Sequence, residues 1–234
     1  MPKNLALFLT LPIFLAFFSS CDMNDPALPS TEVVTVTTGS SFTYEEYYTD
    51  STNAVIAASR HVSVSTVLRT DSVMAGKSGV VVVANVTGSA QDTSFYAYES
   101  NNNFSVLGTS PSTGDPTWFT LPVGTGSQSI STAAGSITNM GITIVVHDTI
   151  TISLVGTEIM TVQNTTLSVK NLRHLFHEVI AINGQRYLDV TVENRIYYAP
   201  SLGMIAKSTT APSPNPSGGW THGTVKTLIA YVLK

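Results

Sequence analysis

The sequence predicts an all-β protein made of about a dozen antiparallel strands. Ser and Thr supply about a quarter of the 234 residues, and only 11% of the residues are charged, against about 25% in a typical domain. Thr and Val suit the half-buried surface of a sheet and disfavour helices. Apolar and polar residues alternate with a period of two, and Gly, Pro and Asn interrupt the alternation at short intervals. This pattern is expected for strands joined by hairpins.

Residues 1–20 have the layout of a secretory signal. One Lys precedes an apolar run from Leu5 to Phe18, and the small residues Ser19 and Ser20 follow. The run of about 14 residues is shorter than the roughly 20 that a membrane-spanning helix needs. We therefore predict that this segment directs export and is then removed.

Cys21 is the only cysteine of the chain and ends the stretch FSSC. This stretch resembles the lipobox of bacterial lipoproteins. The resemblance implies that the Cys21 thiol carries diacylglycerol and that Cys21 becomes the first residue after cleavage. Two acyl chains hold a protein durably on a membrane. The alternative is an ordinary secretory signal cut near Ser20, which leaves Cys21 as a free thiol.

Residues 21–30, with the polar and proline-bearing stretch DMNDPALPS, are predicted to form a lipidated tether, and residues 31–234 a single antiparallel β domain. The predicted location is the bacterial cell envelope, with the outer membrane favoured over the inner one. Asp22 resembles the inner-membrane retention signal of enteric bacteria, but sorting rules differ among phyla. A domain of this length buries a sizeable core without disulfides.

The first strands follow in order along the chain. The stretches TEVVTVTT and SFTYEEYYT lie on either side of Gly39 and predict a hairpin over residues 31–49. HVSVSTVL has a period of two and predicts a strand with one face in the core. The unbroken apolar run Val80–Val83 is typical of a central strand covered on both faces. TSFYAYES and NNFSVLG predict two more strands, joined through Asn101 and Asn102.

The segment from Gly108 to Gly135 is rich in Gly, Pro, Ser and Thr and predicts a long loop with a short strand at Trp118–Leu121. In the next stretch, GITIVVHDTITISLVG, the isoleucines share one parity. Asp148 has the same parity, so an uninterrupted strand would bury its carboxylate in the core. We therefore predict a turn or bulge at His147 and Asp148.

The C-terminal part of the chain contains the clearest strand pattern. RYLDVTVENRIYY alternates apolar residues with polar ones, and Glu193 and Arg195 are oppositely charged neighbours on one face. A turn at Pro200–Gly203 is expected because Pro withdraws an N–H and Gly permits the reversal. Two more strands then complete the antiparallel sheet. They are SLGMIAKSTT and GTVKTLIAYVLK, and a surface loop over residues 211–219 joins them.

Three stretches resemble passages of uncharacterised bacterial envelope lipoproteins. They occur in the same order as in that family and together span about Trp118 to Thr209. The stretches are FTLPVGTG, VGTEIMTVQNTTLSV and RIYYAPSLGMIAKS. The resemblance implies an antiparallel meander that forms a curved half-barrel or open barrel like those of lipoprotein carriers, with a β-sandwich as the alternative. It brings no catalytic residues with it. The most specific motif matches at Tyr197, Tyr198, Ala199, Pro200, Gly203 and Lys207.

The stretch RHLFHE holds the richest cluster of candidate metal ligands or catalytic groups, His174, His177 and Glu178. On a helix these side chains would share a face, but their order is not the H-E-x-x-H of zinc proteases. On a strand, which the surrounding β-forming residues favour, His174 and His177 point to opposite faces. A metal ion would then lose a ligand, so we predict no metal site, no catalytic set and no cofactor.

Other motifs lack the context that their chemistry requires. The stretch AGKS has Asp71 where a phosphate loop needs its first Gly. Ser127 lacks the G-x-S-x-G elbow, and His147 beside Asp148 has no nucleophile for a triad. The net charge is −4 and the basic residues are scattered, which excludes a nucleic-acid footprint.

The predicted function is non-catalytic binding of an apolar ligand or of an envelope component by a curved sheet that is held on the membrane by its lipid anchor. The binding residues stay unassigned. The alternatives are a structural or surface-interaction module and, ranked below it, an envelope hydrolase that uses His174, His177 and Glu178. Six aromatic side chains are available either to line a groove or to fill the core: Tyr44, Tyr47, Tyr48, Phe95, Tyr96 and Tyr98.

Overall fold

The fold is that of a computed structural model. It describes residues 36–99, 103–109, 115–124, 141–214 and 219–234, together with the backbone of 127–139. The predicted signal segment 1–20, the lipidation site Cys21 and the tether to residue 30 lie outside the described residues.

Strands make up nearly all of the regular structure in the described part of the chain. Two three-residue 3-10 helices accompany them, at Ala57–Ser59 and Pro200–Leu202. No helix in these residues has the length and apolar character needed to cross a membrane. The strands are β1 (Ser41–Thr49), β2 (His61–Met74), β3 (Lys77–Thr87), β4 (Ala90–Tyr98), β5 (Phe104–Thr109), β6 (Pro116–Leu121), β7 (Ser127–Asn139), β8 (Ile142–Val162), β9 (Thr165–Ile182), β10 (Gln185–Ala199), β11 (Met204–Thr210) and β12 (Gly223–Val232).

All twelve strands belong to one antiparallel sheet with the order β6-β5-β4-β3-β2-β1-β12-β11-β10-β9-β8-β7. The two edges, β6 and β7, are consecutive along the chain, and only residues 122–126 connect them. Across a flat sheet, eleven intervals of about 4.8 Å would separate these edges by roughly 53 Å. The connection spans at most about 22 Å, so the sheet must curl. It forms a nearly closed barrel with a seam between β6 and β7, which confirms the predicted open barrel.

Local sequence explains most of the strands and turns. Val80–Val83 are all buried in β3, between β2 and β4, as the apolar run predicts. The long strands β9 and β10 are joined by Asn183 and Gly184 at φ 50° and 78°, the left-handed conformations that a tight hairpin turn requires. Pro200 and Gly203 reverse the chain as predicted, with Gly203 at φ 60°.

Two segments differ from the sequence prediction. Residues 36–40 contain no strand, and β1 pairs with β2 and β12, so the predicted hairpin around Gly39 is wrong over its described part. The short strand predicted at Trp118–Leu121 is confirmed as β6, but the long loop predicted around it is wrong from residue 127, because β7 occupies residues 127–139 and pairs with β8. Hydrogen bonding to a long neighbouring strand outweighs the weak strand propensity of its Gly, Ser and Ala residues.

The predicted turn or bulge at His147 and Asp148 is wrong as well. Strand β8 continues through both residues, which pair in consecutive register with Val179 and Glu178 of β9. The irregularity lies in β7, where residues 134 and 135 together oppose one residue of β8. Asp148 therefore points into the protein and is only 3% exposed.

The interior contains two clusters of buried side chains. The main cluster includes Phe42, Tyr44 and Val83, and the second cluster includes Phe104, Ile152 and Tyr198. The inward face of β2 carries Ser63, Ser65 and Val67, all nearly inaccessible, whereas Val62, Val64 and Leu68 are exposed. The buried hydroxyls have partners inside the barrel: Ser63 donates to Glu46, and Ser65 donates to Asn85 Oδ1 at 2.6 Å.

Candidate functional site

The second cluster of buried side chains does not fill the space between the two halves of the barrel. A cavity of about 360 Å³ remains between β5 and β6 on one side and β8 to β11 on the other. Eight of its ten lining side chains are aliphatic or aromatic. They are Val106, Phe119, Leu121, Ile150, Ile152, Phe176, Ile196 and Ile205, with Thr109 and His174 as the two polar members.

One wall of the cavity is built by period-two alternation on β8, β9 and β10. Ile150 pairs with Phe176, and Ile152 pairs with His174, so these four side chains lie in two adjacent rows. The residues between them in sequence point outward. The pattern TITIS in β8 thus supplies two cavity-lining isoleucines, separated by a Thr on the other face.

The opposite wall comes from the short hairpin of β5 and β6. Val106 pairs with Phe119 across this hairpin. The Phe119 ring lies so close over Gly108 that a Cβ at that position would come within 2.7 Å of it. Gly108 therefore permits the ring position that forms this side of the cavity. Thr109, at the end of β5, is exposed and marks the opening of the cavity to solvent.

A β-bulge contributes the remaining aliphatic side chain. Tyr197 pairs with Lys207 but Tyr198 pairs with Ile205, so one residue of β11 has no opposite partner on β10. Such a bulge redirects side chains relative to the regular alternation. As a result Ala206 packs in the main cluster while its neighbour Ile205 lines the cavity.

Aromatic rings separate the cavity from the main cluster. Phe104 stacks on Tyr198 with 4.6 Å between ring centroids and also contacts Tyr96 and Tyr98. The Tyr98 hydroxyl donates to the backbone oxygen of Gly203 at 2.7 Å. Burial raises the pKa of both Tyr98 and Tyr198, so both hydroxyls stay neutral and the partition carries no charge.

His174 is the one titratable side chain that lines the cavity. Its Nδ1 lies 2.9 Å from Nδ2 of Asn194, the residue directly opposite on β10. Burial lowers the pKa of His174, so the imidazole is neutral near pH 7. The cavity is thus an uncharged apolar space with one polar ring in its wall.

The other two candidate ligands of the RHLFHE stretch do not join His174. His177 lies on the opposite face of β9, as the strand alternation predicts, and its Nε2 is 2.8 Å from Asp189 Oδ1. Glu178 is on the inward face but four residues away, which is about 13 Å along a strand. In the part of the chain that the structure describes, no group of three His, Cys, Asp or Glu side chains is placed to hold a metal ion.

The remaining sequence candidates occupy other places. None of the six aromatic side chains considered for a groove lines the cavity. Tyr44 is buried in the main cluster, and Tyr48 is 44% exposed. Ala75 and Gly76 form the turn between β2 and β3 with positive φ, which accounts for AGKS without a phosphate. Phe119 and Phe176 do line the cavity, and only their inward parity in strands could have indicated this.

Three further depressions have a different chemistry. One, of about 370 Å³, includes Glu193 and Arg195, which form an ion pair at 2.6 Å. A second, of about 290 Å³, includes Asp92 and Lys226 among mostly polar residues. A third, of about 480 Å³, has Arg69 in its lining. The cavity beside the second cluster is therefore the best candidate among the described residues for a site that takes an apolar molecule.

Comparisons with known proteins assign neither a family nor a role to this chain. No protein-family model and no curated protein matches the chain. Among solved structures, it is similar to a protein of Bacteroides fragilis NCTC 9343 that is described as exported and as having a YmcC-like fold. The TM-score is 0.40 with 12% identical residues, over 86% of this chain and 99% of that one. The resemblance to envelope lipoproteins stays a prediction, whereas the meander that it implied is present in the strand order.

Proposed function

We propose that the protein is a lipid-anchored component of the bacterial cell envelope that binds a small apolar molecule in its interior cavity, without catalysing a reaction. The observation that carries this proposal is the cavity of about 360 Å³ with eight aliphatic or aromatic lining side chains. A barrel with a completely filled interior would have favoured the structural or surface-interaction alternative.

The size and chemistry of the cavity suit a ligand. Binding cavities for small molecules usually have volumes of about 300–1,000 Å³ and mostly apolar walls. An apolar cavity of about 150 Å³ is enough to bind benzene, so this cavity has room for a molecule roughly twice as large. The transfer of such a molecule from water gains about 25 cal/mol for each Å² of apolar surface that is buried.

The predicted anchor supports the same function. From Cys21 to Val36, the first described residue, the chain reaches at most about 54 Å. A lipid on Cys21 would keep the start of the β domain within that distance of the membrane surface, and so hold the cavity near the place where apolar molecules are concentrated. The hydrolase alternative has less support, because His174 and His177 lie on opposite faces of β9.

A cavity-filling substitution tests the proposal. We expect the protein to bind N-phenyl-1-naphthylamine, an uncharged apolar dye that becomes fluorescent when it leaves water. Val106→Trp should weaken this binding at least tenfold, because the larger side chain occupies the cavity. Titration of the dye measures the effect, and circular dichroism with thermal melting verifies that the variant is folded.

The matched control is Leu107→Trp, at the next residue of β5, whose side chain points to the other face of the sheet. This variant should bind the dye as the unmodified protein does. If neither the unmodified protein nor Leu107→Trp bound the dye, the cavity would not be a binding site and the proposal would be wrong. The same conclusion would follow if Val106→Trp bound the dye as tightly as the unmodified protein.

A further inference from the structure

The wall of the cavity is apolar except at one point within it. Thr109 lies at the exposed opening, whereas His174 lies inside, between Ile152 of β8 and Asn194 of β10 in register. An uninterrupted aliphatic wall would suit a pure hydrocarbon. A polar atom in this position favours a ligand that can hydrogen-bond to it, since a polar group that loses water on ligand binding without gaining a partner weakens the complex.

The partner of His174 determines which nitrogen faces the ligand. Asn194 Nδ2 is an amide nitrogen and can only donate a hydrogen bond, so His174 Nδ1 accepts it at 2.9 Å. The neutral ring then carries its proton on Nε2. Among the described residues, none forms a hydrogen bond with Nε2. His174 thus presents one N–H donor to an otherwise apolar site.

The surroundings select against a charged ligand. No Lys or Arg lines the cavity, and a carboxylate or phosphate without a cation would lose its hydration without compensation. The ligand therefore has to be uncharged, with an oxygen that accepts one hydrogen bond.

We propose that the ligand is an uncharged apolar molecule with a single hydrogen-bond-accepting oxygen, such as a carbonyl, and that His174 Nε2–H donates to this oxygen. This inference rests on the proposed function, because it assigns a ligand class to the same cavity. Asn194 acts as a positioning residue that keeps the proton on Nε2.

The test compares two ligands that differ in one atom group. 2-Undecanone and 2-methyl-1-undecene have nearly the same shape, but only the ketone has an accepting oxygen. Their affinities are measured by displacement of N-phenyl-1-naphthylamine. His174→Phe retains a ring of similar size and removes the donor. We expect it to lower the ratio of ketone affinity to alkene affinity about two- to tenfold, the usual net effect of one hydrogen bond.

The matched control is His177→Phe, on the opposite face of the same strand, which should change neither affinity. If His174→Phe weakened both ligands equally, or weakened neither, the hydrogen bond would be absent and the inference would fail, while binding in the cavity would still stand. If the unmodified protein bound neither ligand nor dye, the proposed function would fail and this inference with it.

Discussion

The carboxyl group of Asp148 is buried on the inward face of β8, opposite Glu178 of β9. Burial raises the pKa of Asp148, partly offset by His147. Burial also raises the pKa of Glu178, and the charge of Asp148 raises it further. Two neighbouring carboxyls that both resist ionisation make this part of the sheet sensitive to pH.

We expect Asp148→Asn to stabilise the protein at pH 7, by about 1.4 kcal/mol for each unit by which folding raises the pKa of Asp148. A carboxyl whose pKa is raised by folding binds more protons when folded than when unfolded, so its contribution to stability is lost as pH rises from its usual pKa through the raised one. The amide cannot ionise and avoids this loss. Urea unfolding of both proteins between pH 4 and pH 8 measures the effect.

The gain should shrink as pH falls towards the usual pKa of Asp, because the raised pKa of Asp148 favours its protonated form in the folded protein. Other carboxyls act in the opposite sense: a hydrogen bond from Lys77 lowers the pKa of Glu99, and one from His177 lowers that of Asp189. These carboxyls are present in both proteins, so the difference in free energy of unfolding between the unmodified protein and Asp148→Asn reports on Asp148 alone. A difference that did not vary with pH would show that folding leaves the pKa of Asp148 unchanged.

Asp148 also shows where reasoning from sequence fails at a single residue. The parity of the isoleucines in β8 correctly placed Asp148 among inward-facing residues, and the cost of a buried carboxylate then led to the wrong prediction of a turn. The large cost of burial applies to the ionised carboxylate. A raised pKa favours the protonated form of Asp148, which is less costly to bury. Strand β8 keeps its pairing with β9 through this point, which a turn would have interrupted.

At the scale of the elements, β2 shows that the more apolar face of a strand is not always the buried one. Its inward face carries Ser63, Ser65 and Val67, while Val64 on the other face is 36% exposed. The serines are accommodated because Glu46 and Asn85 on neighbouring strands accept their hydrogen bonds. Hydrogen bonding between strands therefore decides the orientation of β2.

We expect Val67→Ala to destabilise the protein by about 2 kcal/mol, since a fully buried valine side chain contributes roughly 1.5–3 kcal/mol. Val64→Ala is the matched control, with the same loss of strand propensity on the opposite face of the same strand. It should cost less than about 0.5 kcal/mol. Urea unfolding monitored by circular dichroism gives both values, and equal costs would contradict the orientation of β2.

Most strands were predictable because their patterns are local. Val80–Val83 and the alternation in β10 identify strands without reference to any neighbour. Strand β7 was not predictable, because its Ser, Thr and Gly residues favour a loop and only pairing with β8 makes them a strand. The cavity was not predictable either, since Val106 and Ile196 meet only when the sheet curls, and His174 was identified as a candidate for a different chemistry.

At the scale of the whole molecule, the proposed function combines an interior cavity with an anchor at Cys21, and the anchor can be tested separately. We expect protein recovered from bacterial membranes to begin at Cys21 and to carry the added mass of diacylglycerol. Cys21→Ser should lack this added mass, because no thiol is left to carry the lipid. Intact-mass spectrometry and membrane fractionation measure both outcomes.

Met23→Ser, in the predicted tether, is the control and should stay lipidated and membrane-bound. An unmodified, soluble parent protein would show that the lipobox prediction is wrong. In that case the cavity would belong to a free exported domain, and its ligand would have to be sought away from a membrane.

The short connection between the two edges of the sheet makes the two ends of the seam unlike. Residues 122–126 tie Leu121 of β6 to Ser127 of β7, whereas no covalent link joins the edges elsewhere. Thr109 pairs with Pro116 at the far end of β6, about 17 Å from Leu121. The cavity therefore opens at the end of the seam that the chain leaves unlinked, so the covalent connection does not lie across its entrance.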